Sequence, residues 1–252
     1  MQVATSSMGR GFDVLSAVAD VVADGRPATV SEIATMLGRE RSQVSRSLTA
    51  LDKQGFITRG AGRGYTLAWS WYATAQELTA HRMHQHGLAI LDDLATTVGE
   101  AAFLGVLQGS TTLTVLESLP PTTRMIGSWI GRSYPAYCSD AGRATLWDAS
   151  DDEVRAVFSS TTFRAQGPHT PTSVDDLLER LREDRERGYC IVDQEAEPGL
   201  YSVAAPVWDF RKEVVAAIQV VGAYDDLVVR SAECGDACAR AAAALSGLLG
   251  AR

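Results

Sequence analysis

The chain lacks the features that mark several large protein classes. Its 252 residues include only four cysteines, Cys138, Cys190, Cys234 and Cys238, too few to staple a chain of this length with disulfides. No uninterrupted apolar run approaches the roughly 18 residues that a membrane span needs. Residues 1–7 lack the basic stretch and apolar segment of a secretory signal. There is no internal repeat, and no low-complexity tract dominates. A soluble, cytoplasmic protein is therefore expected. What is present is ordinary globular chemistry, 46% hydrophobic, 21% charged and 7% aromatic, sufficient for one large core or two small ones.

The net charge is −8, which by itself argues against a nucleic-acid partner. Its distribution argues the other way. Residues 39–63 hold six basic side chains (Arg39, Arg41, Arg46, Lys53, Arg59, Arg63) against Glu40 and Asp52, so a local +4 sits on a remainder of −12. A basic island on an acidic protein is an electrostatic footprint.

Around that island the pattern is three helices and a hairpin. Phe12, Leu15, Val18, Ala19 and Val22 recur at three and four, predicting an amphipathic helix over 12–24 that Gly25-Arg26-Pro27 stops. A short helix is expected after Ser31, a good N-cap, with Ile33, Ala34 and Leu37 inward and Gly38 at its end. A third spans about 40–54. Two β-prone stretches, 56–59 and 65–67, flank Gly60-Ala61-Gly62-Arg63-Gly64. This is the order of a winged helix-turn-helix.

On the third helix Val44, Leu48 and Leu51 fall within roughly 60° of one another at about 100° per residue and make a core stripe. Arg39, Ser42, Arg46 and Lys53 cluster opposite, giving a cationic face with hydrogen-bonding groups, as a helix in a DNA major groove requires. A solvated helix face is the bland alternative, but the short preceding helix, the tight turn and the wing all coincide here. The candidate DNA-contacting residues are Arg41, Ser42, Gln43, Ser45 and Arg46, with Arg59 and Arg63 on the hairpin. The glycine-rich run is not a phosphate loop, because no Lys-Ser/Thr follows and it leads into a strand.

A long helix over 71–98, with Leu78, Leu88, Leu91, Leu94 and Ala95 as its apolar stripe, separates this part from the rest. His81, His84 and His86 lie on it without the further ligands that a metal site needs. After Gly99 strands are expected at 101–107, 111–117, 124–130, 189–192, 201–208 and 214–221. Helices are expected at 140–147, 151–158, 174–187 and 227–249. Cys234 and Cys238 share a face of the last helix and read as small packing residues.

In this order and spacing, the sequence resembles the IclR family of bacterial transcriptional regulators over roughly residues 9–223. The first half carries Val30-Ser31-Glu32-Ile33-Ala34, Arg41-Ser42-Gln43-Val44-Ser45-Arg46 and Leu51-Asp52-Lys53-Gln54-Gly55-Phe56-Ile57. The second carries Tyr134-Pro135, Ala141-Gly142-Arg143-Ala144, Arg187-Gly188-Tyr189, Asp193-Gln194-Glu195, Val203-Ala204-Ala205-Pro206-Val207 and Ala216-Ala217-Ile218. The resemblance implies an α+β protein with three parts: a winged helix-turn-helix (1–70), a linker and dimerisation helix (71–98), and a GAF-like effector-binding domain (99–252). It further implies a dimer or tetramer on double-stranded, palindromic operator DNA. From the residues themselves, no cofactor and no metal site is expected. Effector contacts are implied at Asp140 and Ala141, at Val192, Ser202, Gln219 and Val221, and at the pocket-wall positions Ile126 and Tyr134.

The chain departs from the family pattern at informative places. Asp140 stands where the family usually has a small residue, and Arg143 replaces a common lysine. Gln219 and Val221 stand where members sensing small keto acids hold serines, and Val192 where such members can have a carboxylate. Fewer small hydroxyls and more apolar wall favour a larger, flatter effector, an aromatic acid or its derivative. The N–H groups where a helix opens at Asp140 are expected to receive an acidic or carbonyl end, with Ser202 and Gln219 orienting it, while Asp140 itself disfavours a bare small acid and is expected to accept from a ligand hydroxyl or amide.

Two other functions compete. For an enzyme, Cys138, Ser139 and Asp140 are adjacent, but the only histidine in that domain is His169, in an expected loop, and no nucleophile motif frames them. A redox- or metal-responsive regulator would use the four cysteines and the His81–His86 cluster.

Overall fold

The computed structural model describes residues 6–60, 64–123 and 128–251. Arg63 and Ile126 thus lie outside the described residues, as does the first part of the strand expected over 124–130. The remainder of that stretch, 128–130, is not a strand. The chain divides into two compact units, Met1–Leu78 and Thr79–Arg252.

The first unit holds α1 (Ser7–Ala23), α2 (Val30–Leu37), α3 (Arg41–Lys53) and the antiparallel pair β1 (Ile57–Arg59) and β2 (Tyr65–Leu67). The first helix starts well before residue 12 because Ser6 caps it, accepting from the Gly9 N–H. Its buried face is Val14, Ala17, Val18 and Val21, whereas Phe12 is 57% exposed. The expected phase was therefore rotated. The cap of α2 is Thr29, whose hydroxyl accepts from the Glu32 N–H, while Ser31 lies inside the helix. These helices close over one core with Ile33, Val44, Leu48, Ile57 and Tyr65.

The long helix α4 (Trp69–Val98) begins in the first unit and continues into the second. The second unit is built on a sheet of β3 (Ala101–Gln108), β4 (Thr111–Ser118), β5 (Ser133–Pro135), β6 (Cys190–Asp193), β7 (Leu200–Trp208) and β8 (Val214–Ala223). All described pairings are antiparallel, in the order β5-β4-β3-β8-β7-β6. Its helices are α5 (Asp140–Thr145), α6 (Asp151–Val157), α7 (Val174–Arg187), the short α8 (Tyr224–Leu227) and α9 (Ser231–Leu248). The single helix expected over 227–249 is instead α8 and α9 joined by a 3-10 turn at Val228–Arg230.

Period two explains how the sheet serves two layers. Ala102, Leu104, Val203, Ala205, Ile218 and Val220 face a core shared with Leu91, Leu94 and Val98 of α4 and Cys234, Cys238 and Leu245 of α9. The alternate residues, among them Ala204 and Ala217, face α5 through Ala141 and Ala144. Both faces are covered, so β7 reads as a continuous apolar run rather than an alternation.

Candidate functional site

On α3 the stripe Val44 and Leu48 is buried and Leu51 partly so. Arg41, Ser42, Gln43 and Arg46 are exposed, and Ser45 is half-buried. Among the described residues neither Arg41 nor Arg46 forms an ion pair. Arg39 behaves differently. Its guanidinium pairs with Asp13 and donates to the Arg10 carbonyl, tying α1 to the turn before α3. It is a structural residue, not part of the outward cationic face. On the hairpin, Arg59 is exposed and lies over the Tyr65 ring, 5.7 Å from its centroid. Arg63 lies outside the described residues.

The second unit contains a pocket on the α5 side of its sheet. The strand register assembles its floor. Phe103 on β3 pairs with Gln219 on β8, Val221 with Ser202 on β7, Ser202 with Val192 on β6, and Thr112 on β4 with Tyr134 on β5. All of these line the cavity, and Thr114 lies two residues along the same face. Ser139 and Asp140 enter from the start of α5, with Trp129, the turn residues Ala196 and Glu197, and Leu200 at the start of β7 completing the wall. The empty space, solvent at its mouth included, is about 590 Å³. The cavity is a narrow slot.

Of the expected contacts, Tyr134, Asp140, Val192, Ser202, Gln219 and Val221 come together here. Ala141 does not line the slot; it is buried against the sheet, where α5 approaches so closely that a Cβ on Gly105 would lie 2.6 Å from the Ala141 Cβ. Ile126 lies outside the described residues. Sequence reasoning missed Phe103, Trp129, Thr112, Thr114, Ser139 and Glu197. The expectation of few small hydroxyls is corrected by Thr112, Thr114 and Ser139, which all line the slot.

The start of α5 is also not an open anion receptor. The Ala141 N–H donates to Asp140 Oδ1 at 2.8 Å, and the Gly142 N–H to Ser139 Oγ at 3.2 Å. The Arg143 N–H reaches the Ser139 carbonyl. Those donors are spent within the chain, so the receiving site expected for a carboxylate is absent from this turn. Burial holds the Asp140 carboxyl above its ordinary range, opposed by the Ala141 N–H and the Ser202 hydroxyl. Burial and the Glu197 charge likewise hold the Tyr134 phenol above its usual value. The Trp129 and Tyr134 rings are stacked, centroids 5.5 Å apart, and Phe103 lies tilted 6.0 Å from Trp129.

Behind the slot, Arg143 is 1% exposed. Its Nε lies 2.8 Å from Asp184 of α7, and its Nη1 2.7 Å from Glu195. Nη2 donates to the Ile191 carbonyl. Arg180 also reaches Glu195, at 3.0 Å. This network fastens the pocket helix to α7 and β6.

The four cysteines are buried and free. Burial pushes the Cys138 thiol up to about 12 and raises Cys190, Cys234 and Cys238 as well, away from the reactive thiolate. His81 and His84 are exposed on α4. His169 contacts the Asp193 carbonyl through Nδ1 at 3.0 Å, and Ser139 Oγ lies 3.3 Å from Thr112 Oγ1. Neither arrangement makes a nucleophile and base.

Family models match both units: the IclR helix-turn-helix domain over residues 7–61, and the bacterial transcriptional regulator IclR C-terminal domain over 75–246. The chain belongs to the IclR family of transcriptional regulators. Among IclR-family relatives, the Pca regulon regulatory protein of Pseudomonas putida is 29% identical over 218 residues, 85% of this chain and 73% of that protein. The transcriptional repressor IclR of Escherichia coli is 28% identical over 223 residues, 86% of this chain and 79% of that one. The fold is shared with the Thermotoga maritima IclR, at TM-score 0.60 and 21% identity over 97% of this chain and 98% of that one. A Rhodococcus IclR-family regulator superposes at TM-score 0.66 and 22% identity, over 98% and 96%. These relatives are regulators, not enzymes, and the helix-turn-helix makes this chain a DNA-binding regulator. Among the described residues no helix is long and apolar enough to cross a membrane.

Proposed function

We propose that this chain is a repressor that binds a palindromic operator as a dimer or tetramer and is controlled by a small effector in the slot of its second unit. The observation that carries the DNA half is the outward face of α3. Ser42 and Arg46 are exposed opposite a buried Val44/Leu48 stripe, Arg41 and Gln43 are exposed on its flanks, and Arg59 lies on the neighbouring hairpin. Repression is supported by relatives such as the E. coli transcriptional repressor. The aromatic wall of Phe103, Trp129 and Tyr134 supports a flat ring as the body of the effector. To act as a switch, the effector must bind the DNA-competent and incompetent arrangements unequally, with a coupling of ~1–3 kcal/mol. Helix α4, which belongs to both units, is the proposed route.

The test is selection of duplexes from a random library by the full-length protein, followed by affinity measurements at matched salt. Enrichment of a palindrome is expected, with half-sites about one helical turn, ~34 Å, or a multiple apart. Arg46→Ala should weaken binding to it by ~1–3 kcal/mol. Unchanged affinity in that variant would remove α3 from the DNA interface.

A further inference from the structure

The slot gathers acceptors more readily than it supplies charged donors. Gln219 is 5% exposed, lines the cavity, and its Oε1 has no hydrogen-bond partner. A buried amide oxygen left in that state seeks a donor. Two carboxylates face the same cavity, Asp140 half-buried at the α5 end and Glu197 exposed at the turn between β6 and β7. No lysine or arginine lines it among the described residues. Outside the lining, Arg132 lies over the Trp129 ring, 5.0 Å from its centroid, and is hydrogen-bonded to the Tyr134 phenol, while Arg143 is held by Asp184 and Glu195.

We propose that the effector is a flat aromatic molecule that carries hydrogen-bond donors and no negative charge, its donor-bearing end meeting Asp140 and Gln219 Oε1. This rests on reading the slot as the effector site. A ligand carboxylate entering here would lie beside Asp140, and the N–H groups at the start of α5 are already taken by Asp140 and Ser139. An ammonium, hydroxyl or amide end meets the opposite situation. It donates to Gln219 Oε1, which has no partner, and to the Asp140 carboxyl alongside the Ala141 N–H, while the ring lies along Phe103 and the stacked Trp129–Tyr134 pair. Like charges brought together discriminate against a ligand as effectively as good contacts select one.

Two series, each on a common ring and of similar size, vary the charge of the polar end. One is 4-hydroxybenzylamine, 4-hydroxybenzyl alcohol and 4-hydroxybenzoate; the other is tryptamine, tryptophol and indole-3-acetate. Each is titrated calorimetrically into the full-length protein at pH 7.5. In at least one series the amine or alcohol should bind about tenfold or more tighter than the acid. Asp140→Asn with Glu197→Gln should then bring the ratio within about threefold. An acid that binds as tightly as its amine and alcohol overturns the proposal, as does a lack of binding by all six compounds at millimolar concentration. Gln219→Leu, checked for folding by its thermal melt, locates the site. Loss of binding with an acid preferred would sink the charge assignment and spare the slot. Unchanged affinity in Gln219→Leu would mean that the ligand binds elsewhere, and the effector-site reading itself would fail.

Discussion

Arg143 joins α5 to α7 and β6 in the second unit. It is a fully buried cation whose guanidinium meets Asp184 and Glu195, each almost inaccessible to solvent. Coulombic attraction to those two carboxylates keeps it protonated despite the cost of burial. Such a pair is weak evidence of net stability, but removing one partner strands the other charges. Arg143→Ala should therefore cost ~3–5 kcal/mol in denaturant unfolding, and a loss under ~1 kcal/mol would mean that water or another cation replaces it. The sequence displayed Arg143 only as a family lysine changed to arginine. Its partners are 41 and 52 residues away in sequence, and no local pattern announces a pairing at that separation. Asp140 was legible as unusual, and Gln219 and Ser202 as pocket residues, through the family resemblance. Thr112 and Thr114 carry the alternation of a strand in plain view. Which face that strand turns to the slot depends on its register with Tyr134 on β5, a three-residue strand that periodicity cannot detect.

At the scale of elements, the site depends on how closely α5 can lie on its surroundings. A Cβ at Gly142 would collide with the Ala136 carbonyl oxygen and backbone, because the 3-10 turn at Ala136–Cys138 doubles back against the helix. The obstacle is main chain, which cannot swing aside as a flexible side-chain tip can. Gly142→Ala should lower stability by ~1–3 kcal/mol through overpacking and shift Ser139 and Asp140 out of the slot wall. A thermal melt coincident with wild type would show that the turn yields freely. Elements with strong periodicity or caps were legible: α3, α7 and the β3–β4 hairpin fall where the sequence places them. Boundaries failed where two signals competed. Thr29 outdid Ser31 as the cap of α2. The apolar content of residues 224–249 hid the 3-10 turn between α8 and α9, since Val228 and Val229 read as well in a continuous helix as in a turn.

For the whole molecule, the surface of the single chain and the demands of an operator point the same way. Helix α4 buries Leu91, Leu94 and Ala95, yet Leu78 and Leu88 of the same expected stripe are 56% and 46% exposed. An exposed leucine alone needs no explanation, but two on a helix that links the units give a second copy apolar surface to cover. One helix-turn-helix makes few contacts, and its basic island sits on a chain of net charge −8, whose wider field repels phosphate. Joining two DNA-binding units makes the second contact effectively intramolecular, so affinity rises without new residues at either half-site. Assembly should need no disulfide, because all four thiols are buried and free. Light scattering at micromolar concentration in reducing buffer should thus give at least twice the 27.0 kDa chain mass. Leu88→Glu, which places a charge on that surface without touching the slot or α3, should shift the population toward monomer and weaken operator binding together. A monomeric wild type would remove the dimer from the mechanism. A dimeric Leu88→Glu variant with intact operator affinity would move the interface off this part of α4.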